Sequence, residues 1–244
     1  MKLKVRRVSV VACAFLATLV WILVNPASYE EIFTQAEESE SGETLDFSAE
    51  AVSQAKEDDK KAVDVLRELE VKGRAPKTGY SREEFYHGWP NVDGCSLRQK
   101  IIKREFGDTA VLDGCYVVKG EFDEPYTGEH QVFKDKTDIA KIQIDHVVAL
   151  SDAWQKGAQN LTKEKRYEIA TDPLNLIAVD GKANQKKSDG DAATWLPTNK
   201  KFRCQYVARQ ISVKYKYKLW VSEAEKTAIE KVLENCPNEP ALGL

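Results

Sequence analysis

Histidine is scarce in this chain, with three in 244 residues, and CxxC spacing is absent altogether. The missing CxxC argues against a structural zinc site built on thiolates. No internal repeat is visible, so the length is read as one sizeable domain with appendages. A strong net charge is lacking too. The formal charge of −3 combines an acidic stretch, residues 28 to 72 with 14 acidic and 5 basic side chains, with a remainder of 25 acidic and 27 basic downstream. No global field draws in a polyanion, so one would be held only through a local basic patch.

Long apolar runs are missing except at the start. There, Lys2, Lys4, Arg6 and Arg7 precede an apolar segment from Val8 to Val24, followed by small residues at Ala27 and Ser28. This is the pattern of an export signal, with residues 1 to 27 read as a signal peptide or as an uncleaved membrane anchor. The chain is therefore expected to be secreted or held at the cell surface, with no stable membrane partner beyond that anchor and the monomer as the favoured state. Beyond the leader stand Cys95, Cys115, Cys204 and Cys236, an even set suited to disulfides in an oxidising compartment. Short loops favour Cys95 with Cys115 and Cys204 with Cys236, although four cysteines allow three pairings.

Residues 28 to about 44 are polar and acidic, as in a tether. From Leu45 to Leu69 apolar residues recur at helical spacing and predict one or two amphipathic helices, so residues 28 to 72 are assigned to tether and helix and 73 to 240 to the main domain. Within it, Ser81 and Glu84 fit a capping box. "CSLRQKIIKREFG" predicts a helix, and "CYVVKGEFDEPYTGEHQVF" a hairpin or meander with Tyr126 and Thr127 in a turn. A strand ending in "IDHVV", a helix from about Ser151 to Ala170, a short strand "LNLIAV" and a helix begun by "DGKANQKKS" follow. Two more helices, 205 to 219 and 222 to 234, lead to Cys236.

Asp145 and His146 close the first of those strands. By themselves they read equally as a buried ion pair or a strand-end cap. Asn175 lies at the second strand, however, and Asn184, Lys186 and Lys187 lie on the helix after it. A strand with DH, a strand with N and a helix with N resemble the ββα-metal core of HNH nucleases. Further motifs, among them "VKGRAPKTGYSREEF", "IDHVVALSDAWQKGA", "DPLNLIAV" and "RCQYVARQ", extend the resemblance to exported HNH-endonuclease-family proteins over about residues 71 to 236.

The resemblance implies an α+β fold with a ββα-metal core, extra helices and a small antiparallel hairpin, stapled by disulfides. It also implies a metal-dependent endonuclease acting on nucleic acid, DNA ahead of RNA. His146 is the expected general base, since an imidazole of ordinary pKa, about 6.5, can take a proton from water near neutrality. Asp145 and the amide oxygen of Asn184 would hold Mg²⁺ or Mn²⁺, because hard oxygen ligands suit those ions. Asn175 would orient the base region, and Lys187 with Lys186 would meet a phosphate oxygen. Arg98, Arg166 and Arg203 are further phosphate contacts to consider. Gln143 has no assigned role, and the tryptophans read as core or rim anchors. The alternative is a nuclease-like domain without turnover that binds polyanions or protein.

Overall fold

A computed structural model describes residues 60–243. The leader, the tether and the first part of the expected amphipathic helix lie outside them. Within this range the chain is a mixed α/β structure with small antiparallel sheets and two disulfides, Cys95–Cys115 and Cys204–Cys236.

The first helix, α1 (Ala62–Glu68), buries Ala62, Val65 and Leu66, and Leu69 follows into the same core. A two-residue ribbon, β1 (Asn91–Val92) and β2 (Cys95–Ser96), leads into α2 (Leu97–Phe106). The expected meander is an antiparallel sheet, β3 (Val111–Asp113), β4 (Tyr116–Asp123) and β5 (His130–Phe133), in that order. Gly120 lies in β4 because a Cβ there would come 2.1 Å from the Phe106 ring. After the short α3 (Lys136–Ile139) comes β6 (Gln143–His146), then α4 (Leu150–Gln155) and α5 (Lys163–Thr171). β7 (Leu176–Val179) returns antiparallel to β6, and α6 (Gly181–Lys187), α7 (Arg203–Lys216) and α8 (Glu223–Leu233) complete the order.

Two sequence expectations need correction. Ser81 makes no side-chain capping bond, and residues 82–84 form only a single 3₁₀ turn. The helix expected from Ser151 to Ala170 is two helices, parted at Gly157. Its φ of +122° is open to glycine, and a Cβ there would press on Trp220 at 3.1 Å. Helix α1 packs on α7 and α8 within one hydrophobic cluster.

The β6–β7 ribbon is the centre of the molecule. Its register pairs Gln143 with Val179, Ile144 with Ala178, Asp145 with Ile177 and His146 with Leu176. Because strand side chains alternate, Ile177 and Val179 join the cluster formed by α1, α7 and α8, whereas Ile144, Leu176 and Ala178 join the cluster of α2, β4 and β5. Apolar packing on both faces explains why "LIAV" reads as an unbroken hydrophobic run.

Charges are also buried. Lys156 Nζ lies 2.8 Å from Asp152, 2.7 Å from Asp191 and 2.6 Å from Glu225, and Lys214 Nζ lies 3.2 Å from Asp152 and 2.5 Å from Glu225. Arg74 adds a contact of 2.7 Å to Asp191. Three cations thus face three carboxylates. Burial alone would raise the Asp191 pKa, but Lys156 and Arg74 outweigh it and hold the group below the usual carboxylate range.

Candidate active site

The two strands and the helix after them place Asp145, His146 and Asn184 on the wall of one cavity of about 870 Å³. Lys77, Arg82, Tyr86, Trp89 and Arg98 come to the same wall from other parts of the chain. Short elements suffice because each side chain is held by a second residue.

His146 is 4% exposed, with Trp89 stacked on its ring at 5.9 Å and 14° and Tyr86 edge-on at 5.8 Å. Its Nε2 lies 2.9 Å from the Ala170 carbonyl oxygen at the end of α5. A carbonyl only accepts, so the neutral ring carries its proton on Nε2 and keeps the lone pair on Nδ1. Nδ1 has no protein hydrogen-bond partner among the described residues. Burial lowers the His146 pKa to about 3, the Ala170 bond opposes this, and the charges of Arg82 and Lys187 lower it further. The ordinary imidazole pKa expected from the sequence is thereby corrected: this ring is neutral across the physiological range.

Asp145 points to the other face of β6. Tyr126 donates its hydroxyl hydrogen to Asp145 Oδ2 at 2.5 Å, and Lys187 Nζ lies 2.9 Å from Oδ2 and 3.1 Å from Oδ1. Lys187 is fully buried and also donates to the His146 carbonyl at 2.8 Å. Its ammonium is therefore committed to the strand, and the phosphate contact expected of it is not available from this position. Lys186, one residue earlier, is exposed. Tyr126 is likewise not a simple turn residue: it is fully buried, and burial followed by the Asp145 charge raises its pKa well above the ordinary value.

Asn184 donates from Nδ2 to Gln143 Oε1 at 2.9 Å. Gln143 stands on the same strand face as Asp145 and thereby fixes which end of the Asn184 amide is left over. The remaining Oδ1 has no protein hydrogen-bond partner among the described residues. A carboxylate retains acceptor capacity beyond its bonds to Tyr126 and Lys187, so Asp145 and Asn184 together offer two hard oxygen donors at one cavity. That donor set fits a divalent cation of the magnesium type.

Asn175 is buried away from the cavity. Its Oδ1 accepts from Val148 N–H at 2.8 Å, and its Nδ2 donates to Ile169 O at 3.0 Å. It thus joins the segment just after His146 to the residue before Ala170. Arg104 and Arg209 brace the same turn, donating to Leu176 O at 2.6 and 2.8 Å.

The other arginines divide. Arg166 is engaged by Glu84 at 2.9 Å and Leu161 O at 2.6 Å, and Arg203 by Pro197 O at 2.7 Å. Neither is among the residues lining the cavity. Arg98 does line it, and so does Arg82, which sequence reasoning passed over; the only signal was its place in "YSREEF". His130 pairs with Asp123 on the β4–β5 sheet, outside the cavity. The one group of His, Cys, Asp or Glu with cation spacing among the described residues is Cys204, Cys236 and Glu239, whose two thiols are spent in a disulfide.

Comparison with known proteins adds to this geometry. Residues 96–232, more than half of the chain, match the family described as "GmrSD restriction endonucleases, C-terminal domain". A protein of Arthroderma benhamiae described as "Uncharacterized secreted protein" is 35% identical over 178 residues, covering 72% of this chain and 84% of that one. No solved structure matches. No helix among the described residues is long and apolar enough to cross a membrane.

Proposed function

Since the chain belongs to the family of GmrSD restriction endonuclease C-terminal domains, we propose that it is an exported endonuclease hydrolysing phosphodiester bonds in nucleic acid, with DNA as the first substrate to test. The observation that carries this reading is the tautomer of His146. Its Nε2–H is taken by Ala170 O, its Nδ1 lone pair is free, and its ring lies on a cavity shared with Asp145, Asn184 and two arginines.

The roles follow from the contacts. Nδ1 takes a proton from water while the water oxygen attacks phosphorus, and the bond to the 3′ oxygen breaks. A ring with a pKa of about 3 is a weak base until an anion adjoins it, and a bound phosphodiester is such an anion. Tyr86 and Trp89 hold the ring in plane, and Asn175 and Ala170 hold its height along the strand. Lys187 and Tyr126 hold the Asp145 carboxylate in position. Magnesium or manganese held by Asp145 and Asn184 Oδ1 would supply Lewis-acid stabilisation of the leaving oxygen. Export is supported by the leader pattern and by the description of the Arthroderma relative as secreted.

Incubating the purified chain with supercoiled plasmid and Mg²⁺ tests the proposal. Nicking is expected, abolished by EDTA and reduced at least about a hundredfold in His146→Ala, the usual range for loss of a general base. Nicking that persists undiminished in His146→Ala would remove His146 from the reaction. Binding of DNA with no turnover would leave a polyanion-binding module.

A further inference from the structure

Arg98 carries a charge that no carboxylate answers. Its Nη2 donates to the carbonyls of Ile142 at 2.8 Å and Ile139 at 3.3 Å, and these are its only hydrogen bonds among the described residues. Half-buried on the wall of the cavity, the guanidinium keeps Nε and Nη1 uncommitted. Burial lowers its pKa and no anion offsets this. Arg82 is the other guanidinium on that wall. It donates to Tyr86 Oη from Nε at 3.1 Å and from Nη2 at 2.6 Å and lies over the Tyr86 ring, which also packs on the rings of His146 and Trp89. The two arginines are therefore tied to the base region through different parts of the chain. Arg82 shares its tyrosine with His146, whereas Arg98 is pinned to Ile142, four residues before His146. At roughly 3.3 Å per residue of extended chain, that is about 13 Å of backbone from just before β6 to its end.

Resting on the hydrolytic reading above, we propose that Arg82 and Arg98 form a two-point phosphate clamp, in which Arg82 meets the scissile phosphodiester and Arg98 meets a phosphate farther along the same strand. A separation of that size exceeds the reach of one phosphate group, so Arg98 has no partner in a substrate with a single phosphate. The site is thereby matched to a polynucleotide chain and discriminates against small diesters. A guanidinium suits the task because it is pre-organised, always charged, and able to grip two phosphate oxygens at once.

Two substrates separate the roles. With bis(p-nitrophenyl) phosphate, which has one phosphate, and a fluorescent single-stranded oligonucleotide, Arg98→Gln is expected to lower kcat/KM for the oligonucleotide at least tenfold more than for the small diester. Arg82→Gln is expected to lower both by similar factors. Arg98→Lys, which keeps the charge but not the fork, should fall between Arg98→Gln and the wild type, and it serves if loss of the carbonyl contacts unfolds the glutamine variant. Equal losses on both substrates in the Arg98 variants would overturn the clamp and leave Arg98 a structural residue.

A wild type that cleaves neither substrate would instead overturn the hydrolytic reading, and binding then decides the clamp alone. In anisotropy titrations without divalent ion, the slope of log K against log salt should be shallower by about 0.7 in Arg98→Gln, the loss of one single-strand phosphate contact. An unchanged slope would refute it.

Discussion

Burial separates the pKa of His146 in the folded chain, about 3, from the value of about 6.5 that an unfolded chain would give it. Between those values the unfolded state binds a proton that the native state refuses, so stability rises with pH there. The contribution is complete above about 6.5 and is lost as pH falls toward 3. At pH 5 the deficit from this one group is about 2 kcal/mol. Urea unfolding at pH 7.5 and pH 5 should therefore show a larger drop for the wild type than for His146→Gln, by about that amount. Equal drops would mean that the ring is not held neutral by the fold. On the hydrolytic proposal, the same burial predicts that kcat/KM, which reflects the free chain, shows no inflection near pH 6.5 from this residue. Asp145, His146 and Asn184 are legible in the sequence because their identities and order make a pattern. Gln143 and Tyr126 are not, because each acquires its partner only when the chain crosses itself, and Arg82 is not, because only the fold brings it and its neighbour Tyr86 to the cavity. Lys187 shows the same limit from the other side: its position is legible, but which group its ammonium meets depends on the depth at which α6 packs.

Lys187 ties one secondary-structure element to another. Its ammonium spans from α6 to the carboxylate and backbone of β6, and neither partner is solvated. Removing one member of such a pair leaves a buried charge uncompensated and typically costs about 3–5 kcal/mol. Lys187→Met should lose stability on that scale in thermal or urea unfolding. Asp145→Asn combined with Lys187→Met should be more stable than Lys187→Met alone, since no charge remains unanswered. A double variant that simply adds the two losses would show that the pair is not coupled. Helices α2, α7 and α8 are legible from periodic apolar spacing, and β7 from its short apolar run. The division of the 151–170 segment is legible only in Gly157, a residue that a longer helix would tolerate. Its reason, the approach of Trp220 from a distant turn, has no local trace. The buried charges are missed for a similar reason: Lys156 directly follows α4 and Lys214 sits in α7, places where charge ordinarily means a solvated face.

At the level of the whole molecule, α1 decides where the domain begins. Ala62, Val65 and Leu66 are at most 1% exposed and pack with Val207, Ala208 and Ile211 of α7 and with Ile229 of α8. The chain before α1 is fastened to the far terminus, since Ala62 N–H donates to Glu239 O at 2.8 Å and Lys61 Nζ to Asn238 Oδ1 at 2.8 Å. The Cys204–Cys236 disulfide closes the same region, and its loop, with a sequence separation of 32, corresponds to roughly 3–4 kcal/mol in the chain-entropy account. Each large apolar side chain taken from that core forfeits about 1.5–3 kcal/mol. Loss of Val65, Leu66 and Leu69 together, with the opposing faces of α7 and α8 uncovered, then approaches the 5–15 kcal/mol that holds a domain folded. A chain begun at residue 60 should unfold cooperatively in urea, with a near-ultraviolet circular dichroism spectrum of fixed aromatic packing. One begun at residue 73 should lack that spectrum and bind hydrophobic dye. The disulfide should not rescue it, because a crosslink restricts the unfolded chain without refilling the space α1 vacates. If the shorter chain instead matches the longer one in midpoint and in plasmid nicking, α1 is an appendage, and the boundary at residue 73 that acidity and turn residues suggest is the physical one.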